Sequence, residues 1–240
     1  MKYELTNETK AVNGKTLFRI RALEDFSNVK AGDLGGWIES ESNLSQEGTC
    51  WVYGKAQVYG KAQVFGEAWV FGGAQVFDEA QVSGRARVSG EARVYDSAQV
   101  FGGARVSGEA RVSGEAQVYG EAQVSGEARV SGEARVSGEA WVSGEARVSG
   151  SAQVFGEAWV SGKAYIKSVA DYIVVGPAQS SGRFTTAYIV ENSIVVTTGC
   201  FTGTLEEFKL AIEKTHGHNP NYLKQYRSFA NFIGENFETL

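Results

Sequence analysis

The sequence predicts a mainly β protein built on a parallel β-helix of eighteen-residue triangular coils. An N-terminal β cap precedes it and a small C-terminal α+β domain follows. Three observations predict this. Valine recurs every six residues from Val52 to Val160, nineteen times without a miss, and Ile166 continues the series. Alanine stands four residues after each valine, from Ala56 to Ala164, and glycine two residues after it, except where Asp78 and Asp96 take its place. Outward residues eighteen apart share their chemistry, and both ends of the chain abandon the pattern. The predicted boundaries are a cap over 1–47, the helix over 48–167 and the C-terminal domain over 168–240.

In the cap, Val12-Asn13-Gly14-Lys15 is a two-residue hairpin signal between strand-like segments. Ile38, Leu44 and Cys50 then fall at six-residue spacing, so a first, imperfect coil is expected to begin near Trp37. A solenoid needs such a cap, because its terminal rung exposes strand edges and core.

In the array, side chains of an extended segment alternate, so Ala and Val of each Ala-x-Val point inward and the residue between them points out. Glycine after each short strand supplies a tight bend. A glycine in every six residues rules out a helix. Three hexads per coil is tested by the outward residues. One side reads Trp51, Trp69, Arg87, Arg105, Gln123, Trp141, Trp159; the second Gln57, Gln75, Arg93, Arg111, Arg129, Arg147, Tyr165; the third Gln63, Gln81, Gln99, Gln117, Arg135, Gln153. The tryptophans of the array share one side. Residues 52–166 make a little over six coils, roughly 30 Å tall at ~4.8 Å per rung. Stacked Val and Ala leave no room inside for a ligand.

After residue 167, Tyr172–Gly176, Phe184–Val190 and Ser193–Thr198 read as three strands. Thr204-Leu-Glu-Glu207 is a capping box opening an amphipathic helix through Lys214, with Gly217 where a C-terminal cap belongs. After Asn219-Pro220, a final helix carries Tyr222, Tyr226, Phe229, Phe232 and Ile233 on an apolar face.

Composition narrows the function classes. The 240 residues include 30 Gly, 2 Pro and 2 Cys, with a net charge of −5. There is no Gly-X-Y period, no apolar run of transmembrane length and no disulfide framework, so a cytoplasmic location is expected. The early charges leave no apolar segment of signal type. The array carries 13 acidic and 11 basic residues, a mixed face that fits neither nucleic acid nor a membrane surface nor a DNA mimic.

The V-x-G-x-A-x unit resembles the left-handed β-helix of hexapeptide-repeat proteins, a family that includes many acyltransferases. The run Asp25–Ile38, followed by Leu44-Ser-Gln and Cys50-Trp-Val-Tyr53, resembles the start of YdcK-like members. Gly199–Phe208, with Glu213-Lys-Thr-His-Gly217, is similar to a C-terminal module of phage and prophage proteins, where it also follows β-helical repeats. These resemblances imply a left-handed coil and a phage or prophage origin, and no known reaction. In that module an early Ser-Arg pair usually follows the proline; here Arg183 comes later, after Ser180-Ser-Gly182.

Acyl transfer on such a helix uses a His between subunits and often a loop thrown out of a coil. This array has no His and nineteen unbroken hexads. Cys200 and His216 are the candidates for catalysis, as a thiolate–imidazole pair. The competing reading makes Cys200 a buried filler at a strand end and His216 a cation at a helix C-terminus. No cofactor is expected, and two His with one Cys do not complete a metal site. The outer aromatics are the sharpest signal: Trp69, Trp141 and Trp159, with Arg87 and Arg105 between them, are the expected interface. Tyr53, Tyr59, Phe65, Phe71 and Phe77 extend it. The expectation is a non-catalytic scaffold that self-associates, as a trimer first because left-handed β-helices commonly form them, or a dimer. It would bind a macromolecular partner such as a host protein. An acyltransferase-like or Cys/His enzyme is the alternative, and a virion part the third reading.

Overall fold

The computed structural model describes residues 1–237. The last three residues of the predicted C-terminal domain, 238–240, lie outside the described residues. Twenty two-residue strands, from Trp51–Val52 to Tyr165–Ile166, each hold the outward residue and the aliphatic residue of one hexad. Every strand pairs in parallel with the strands eighteen residues away. Arg87 lies between Trp69 and Arg105, Arg111 between Arg93 and Arg129, and Gln99 between Gln81 and Gln117. The three-sided prism is therefore present. Trp51, Trp69, Trp141 and Trp159 share one seven-stranded sheet. The Val and Ala positions are buried throughout in one continuous core.

One hexad shows why the unit repeats. In Ser107-Gly108-Glu109-Ala110 the Ala110 N–H turns back to the Ser107 carbonyl at 3.4 Å. Gly108 sits at φ +68°, the left-handed region required at the first central residue of this kind of turn. A Cβ there would lie 2.9 Å from the Gly126 nitrogen and 3.0 Å from its oxygen in the next coil. The small residue is thus required twice, by the bend and by the rung beside it. The backbone is tied onward by Glu109 N–H to Gly126 O at 2.8 Å, Arg111 N–H to Ala128 O at 2.9 Å and Ser113 N–H to Val130 O at 2.9 Å. Asp96 replaces glycine at φ +56°, a conformation Asp tolerates better than most residues. Its carboxylate accepts the Gly114 N–H at 3.0 Å, joining two coils through a side chain.

At the N-terminus, Tyr3–Val12 and Lys15–Ala22 form the expected hairpin, with Asn13 and Gly14 both at positive φ. Leu34–Ile38 pairs antiparallel with Lys15–Ala22 and parallel with Gln57–Val58, so the chain passes there from hairpin to solenoid. Trp37 faces Gln57 and Leu44 bridges Val64, each twenty residues away, whereas Trp51 faces Trp69 at eighteen. The first coil therefore holds two extra residues between Leu44 and Trp51. Cys50 does not continue the Ile38–Leu44 series as its spacing suggested. It takes the alanine position, six residues before Ala56, and the following Trp51 N–H donates to Ala68 O at 3.0 Å.

The enlarged corner is plugged by Lys2, which is buried. Its ammonium donates to the carbonyls of Cys50 at 3.0 Å and Glu47 at 3.3 Å and to Cys50 Sγ at 3.2 Å. The phenol of buried Tyr3 donates to Leu44 O at 2.6 Å. Loop carbonyls that no strand can reach thus acquire donors.

The C-terminal unit is a four-stranded antiparallel sheet of Tyr172–Val175, Thr185–Val190, Ser193–Thr198 and Phe201–Thr204. Helices α1 (Leu205–His216) and α2 (Pro220–Phe237) follow. Three of the strands were expected. The fourth, with Gly203 inside it and no alternating pattern, was not. Thr204 and Glu207 form the predicted capping box. α1 runs two residues past the predicted end, and Gly217 stays right-handed at φ −54°, its N–H still donating to Glu213 O. The sheet is a partition with two dry faces. Tyr172, Val174, Tyr188 and Val195 join the core of the prism. Alternate residues Ile173, Val175, Ala187 and Val196 pack with Phe208, Ile212, Tyr226 and Ile233 of the helices. The last coil is sealed by hydrogen bonds: Trp159 N–H to Thr186 Oγ1 and Thr197 Oγ1–H to Trp159 O, both 2.9 Å. Among the described residues no helix is long and apolar enough to cross a membrane.

Ala128 is fully buried. Ala128→Leu is expected to overpack the prism and cost roughly 1–3 kcal/mol. Ser131→Ala, on the outward side of the next hexad, should stay within about 0.5 kcal/mol of wild type. Chemical denaturation of the two variants checks the inward assignment.

Candidate functional site

The solid prism offers no internal site, so the sites are at its surface and its C-terminal end. There a cavity of about 670 Å³ lies in the C-terminal domain. Four stretches of chain converge on it: Ser180–Arg183 of the loop before the second strand, Thr198–Phe201 around the turn between the third and fourth, one face of α1, and Tyr226 of α2. The turn is made by Gly199 at φ +57°. α1 contributes Phe208, Ala211, Ile212, Thr215 and His216. Their three- and four-residue spacings put them on one helical stripe. Phe208, Ile212 and Tyr226 are buried and form an apolar floor.

Polar groups surround that floor. The imidazole of His216 lies flat on the Tyr226 ring, with centroids 4.6 Å apart and planes 8° apart. The Tyr226 hydroxyl is 3.0 Å from Ser180 Oγ and 3.4 Å from Ser181 Oγ. Arg183 crosses the hairpin turn so closely that a Cβ on Gly199 would fall 2.8 Å from its Nη1.

Cys200 and His216, sixteen residues apart in sequence, line this one cavity. Cys200 is not a buried filler. The strand stops at Thr198, and the thiol stands exposed in the turn beyond it. His216 is the last residue of α1, at the helix C-terminus where it was expected. Ser180, Ser181 and Tyr226 were not predicted as site residues. The loop between Pro177 and Arg183 was the signal for the two serines, because it holds polar residues with no strand pattern, whereas Tyr226 reads only as part of the apolar face of the last helix. Among the described residues no group of three or more His, Cys, Asp or Glu is placed to hold a metal ion.

The expected interface residues on the prism meet different fates. Trp51 is covered by the chain's own N-terminus, edge-on to Tyr3 and Phe26. Trp69 is half-buried beneath Tyr53, and the Arg87 guanidinium lies 5.0 Å over its ring. That cation–π contact gives Arg87 a partner within the chain. Arg105 is exposed. Trp159 is half-buried at the coil sealed by the C-terminal sheet, while Trp141, edge-to-face with it at 5.6 Å, is 44% exposed. Much of the Tyr and Phe band stacks on itself: Tyr59, Phe77 and Tyr95 form a column with ring spacings of 5.1 and 5.0 Å. This matches the spacing of the rungs.

Comparison with known proteins agrees with the repeat architecture. The family model for the YdcK Beta solenoid repeat matches residues 80–96, 86–102, 104–120, 122–138 and 128–144. A protein of Escherichia coli (strain K12) named "Uncharacterized acetyltransferase YdcK" is 42% identical over 60 residues, which are 22% of this chain and 18% of that protein. The chain thus matches less than a fifth of its relative's length. The array is similar to YdcK β-solenoid repeats, and the likeness is one of repeat and fold.

The two cysteines differ enough to be told apart in solution. Burial pushes the Cys50 thiol up, with Lys2 pulling in the opposite direction. Native protein is expected to react with a thiol reagent at Cys200 alone, one equivalent per chain, and unfolded protein at both. Cys200→Ala should abolish the native reaction.

Proposed function

We propose that the protein is a non-catalytic β-solenoid scaffold that self-associates through the exposed Trp141 end of its prism and binds a macromolecular partner through its C-terminal domain. The observation that carries this reading is the division of the molecule. The array is filled with Val and Ala and has no histidine, whereas the cavity with convergent polar and aromatic groups belongs to the appended domain. Aromatic side chains outside a filled core are worth roughly 25 cal/mol per Å² when covered, and Trp is prominent at interface hot spots. Trp141 is such a side chain, with Trp159 supporting it from the next rung. The phage or prophage origin implied by the tail's resemblance fits a small binding protein that interferes with a host system. A cytoplasmic site of action goes with that role.

Light scattering tests self-association. The wild type is expected as a trimer or, failing that, a dimer, and Trp141→Ser is expected to lower the mass. A monomeric wild type, or an unchanged mass in a folded variant, overturns it. Trp141 is the better single target, since Trp159 also anchors the C-terminal sheet through its backbone.

A second reading is favoured by one observation, the shared cavity of Cys200 and His216. It makes the domain an enzyme with a thiolate nucleophile, or an acyl-transfer protein as the name of the Escherichia coli relative suggests. The scaffold reading expects Cys200→Ser, which removes the thiol nucleophile at nearly constant size, to keep the biological effect of the wild type. Loss of that effect in a variant with an unchanged unfolding midpoint selects the enzyme.

A further inference from the structure

The C-terminal cavity carries a charge pattern that says what it would take. No aspartate or glutamate lines it, while Arg183 and His216 do. Among the described residues Arg183 enters no ion pair, whereas Lys209 pairs with Glu206 and Arg227 with Glu213. Glu207, at the start of α1, is engaged by the Thr204 N–H at 2.7 Å. These three carboxylates of α1 thus have partners, and the Arg183 guanidinium enters no ion pair. Gly199 leaves room for that guanidinium against the turn, since a Cβ there would lie 2.8 Å from its Nη1. The hydroxyls of Ser180, Ser181 and Tyr226 add neutral donors nearby, and Phe201, Phe208 and Ile212 supply an apolar wall.

We infer that this cavity binds the C-terminal carboxylate of a partner protein whose last residue is apolar. A guanidinium fork matches a carboxylate in two parallel hydrogen bonds. A dianionic phosphate is ordinarily met by several cations or a nest of backbone N–H groups, whereas here there is one guanidinium and one imidazole. Charge and apolar wall share a single small cavity. A chain terminus offers that combination, since its carboxylate and its last side chain leave the same carbon. The side chain of an internal Asp or Glu carries its charge away from any apolar neighbour. The volume suits the last residues of a chain and lies within the ~300–1,000 Å³ usual for ligand sites. This inference rests on the reading of the C-terminal domain as a partner-binding module.

The test is titration of the full chain with pentapeptides of sequence acetyl-Gly-Ser-Gly-Ala-X, where X is Phe, Leu, Ile or Val, each as the free acid and as the C-terminal amide. At least one free acid is expected to bind, and its amide to bind at least about tenfold more weakly. Arg183→Gln should remove that preference for the acid. Ala211→Phe, which puts a ring into the cavity beside Phe208 and Ile212, should weaken binding while the thermal midpoint stays within a few degrees of wild type. Equal affinity for acid and amide overturns the inference, and so does undiminished binding by Ala211→Phe or failure of all four acids to bind at millimolar concentration. A peptide of the same composition with a Glu side chain as its only carboxylate, its terminus amidated, is expected to bind weakly; binding as tight as that of the free acids overturns the chain-terminus assignment. The titration reads neither oligomer mass nor a nucleophile at Cys200. A failed carboxylate site and a failed scaffold reading are therefore distinguished by separate measurements.

Discussion

Everything in this molecule depends on register between coils. A short strand of two residues has almost no stability of its own. What holds it is the strand one coil away, through backbone bonds such as Arg111 N–H to Ala128 O, together with the Val and Ala stacked beneath. These two requirements select the same offset. If a coil gained a residue, its valine would turn outward and its glycine would leave the corner where Gly108 sits against Gly126. Backbone pairing, core packing and corner sterics thus enforce one another, which is why nineteen consecutive hexads keep their valine.

The constraint is relaxed only where something else supplies the missing partners. The first coil carries two extra residues; the side chains of Lys2 and Tyr3 donate to carbonyls of that loop, and its Gln46 accepts the Lys2 backbone N–H in return. Beyond the last coil the C-terminal sheet presents Thr186, Thr197 and Tyr188 to Trp159 and Ser161. Both ends of the prism are closed by side-chain hydrogen bonds in place of another rung. The C-terminal sheet can then carry helices on its other face, and the cavity with them.

This division explains what could be read in advance. The array was legible because each of its residues has the same neighbours in every coil, so periodicity stands in for tertiary structure. The hairpin at Asn13-Gly14 and the capping box of Thr204 and Glu207 were legible because their partners are a few residues away. The extra residues after Leu44 were not, since six-residue spacing from Leu44 to Cys50 hides a change of role from the valine to the alanine position. The strand Phe201–Thr204 and the exposure of Cys200 were missed for a related reason: both follow from where the chain turns at Gly199, and a turn is defined by pairing on both sides. The cavity is the least legible feature. Its walls come from segments as far apart as Ser180 and Tyr226, brought together only by helix docking.

The eighteen-residue register also makes the array a ruler. Removal or duplication of one coil replaces each side chain at the cut by its counterpart one rung away, so the same Val, Ala and corner partners meet. The outcome would be a change in the distance between the N-terminal hairpin and the C-terminal cavity in steps of ~4.8 Å, with the cavity still on the same side of the triangle. Near-identical coding repeats are prone to gain or lose whole units. A lineage carrying this protein can therefore alter its reach in discrete increments without redesigning either end.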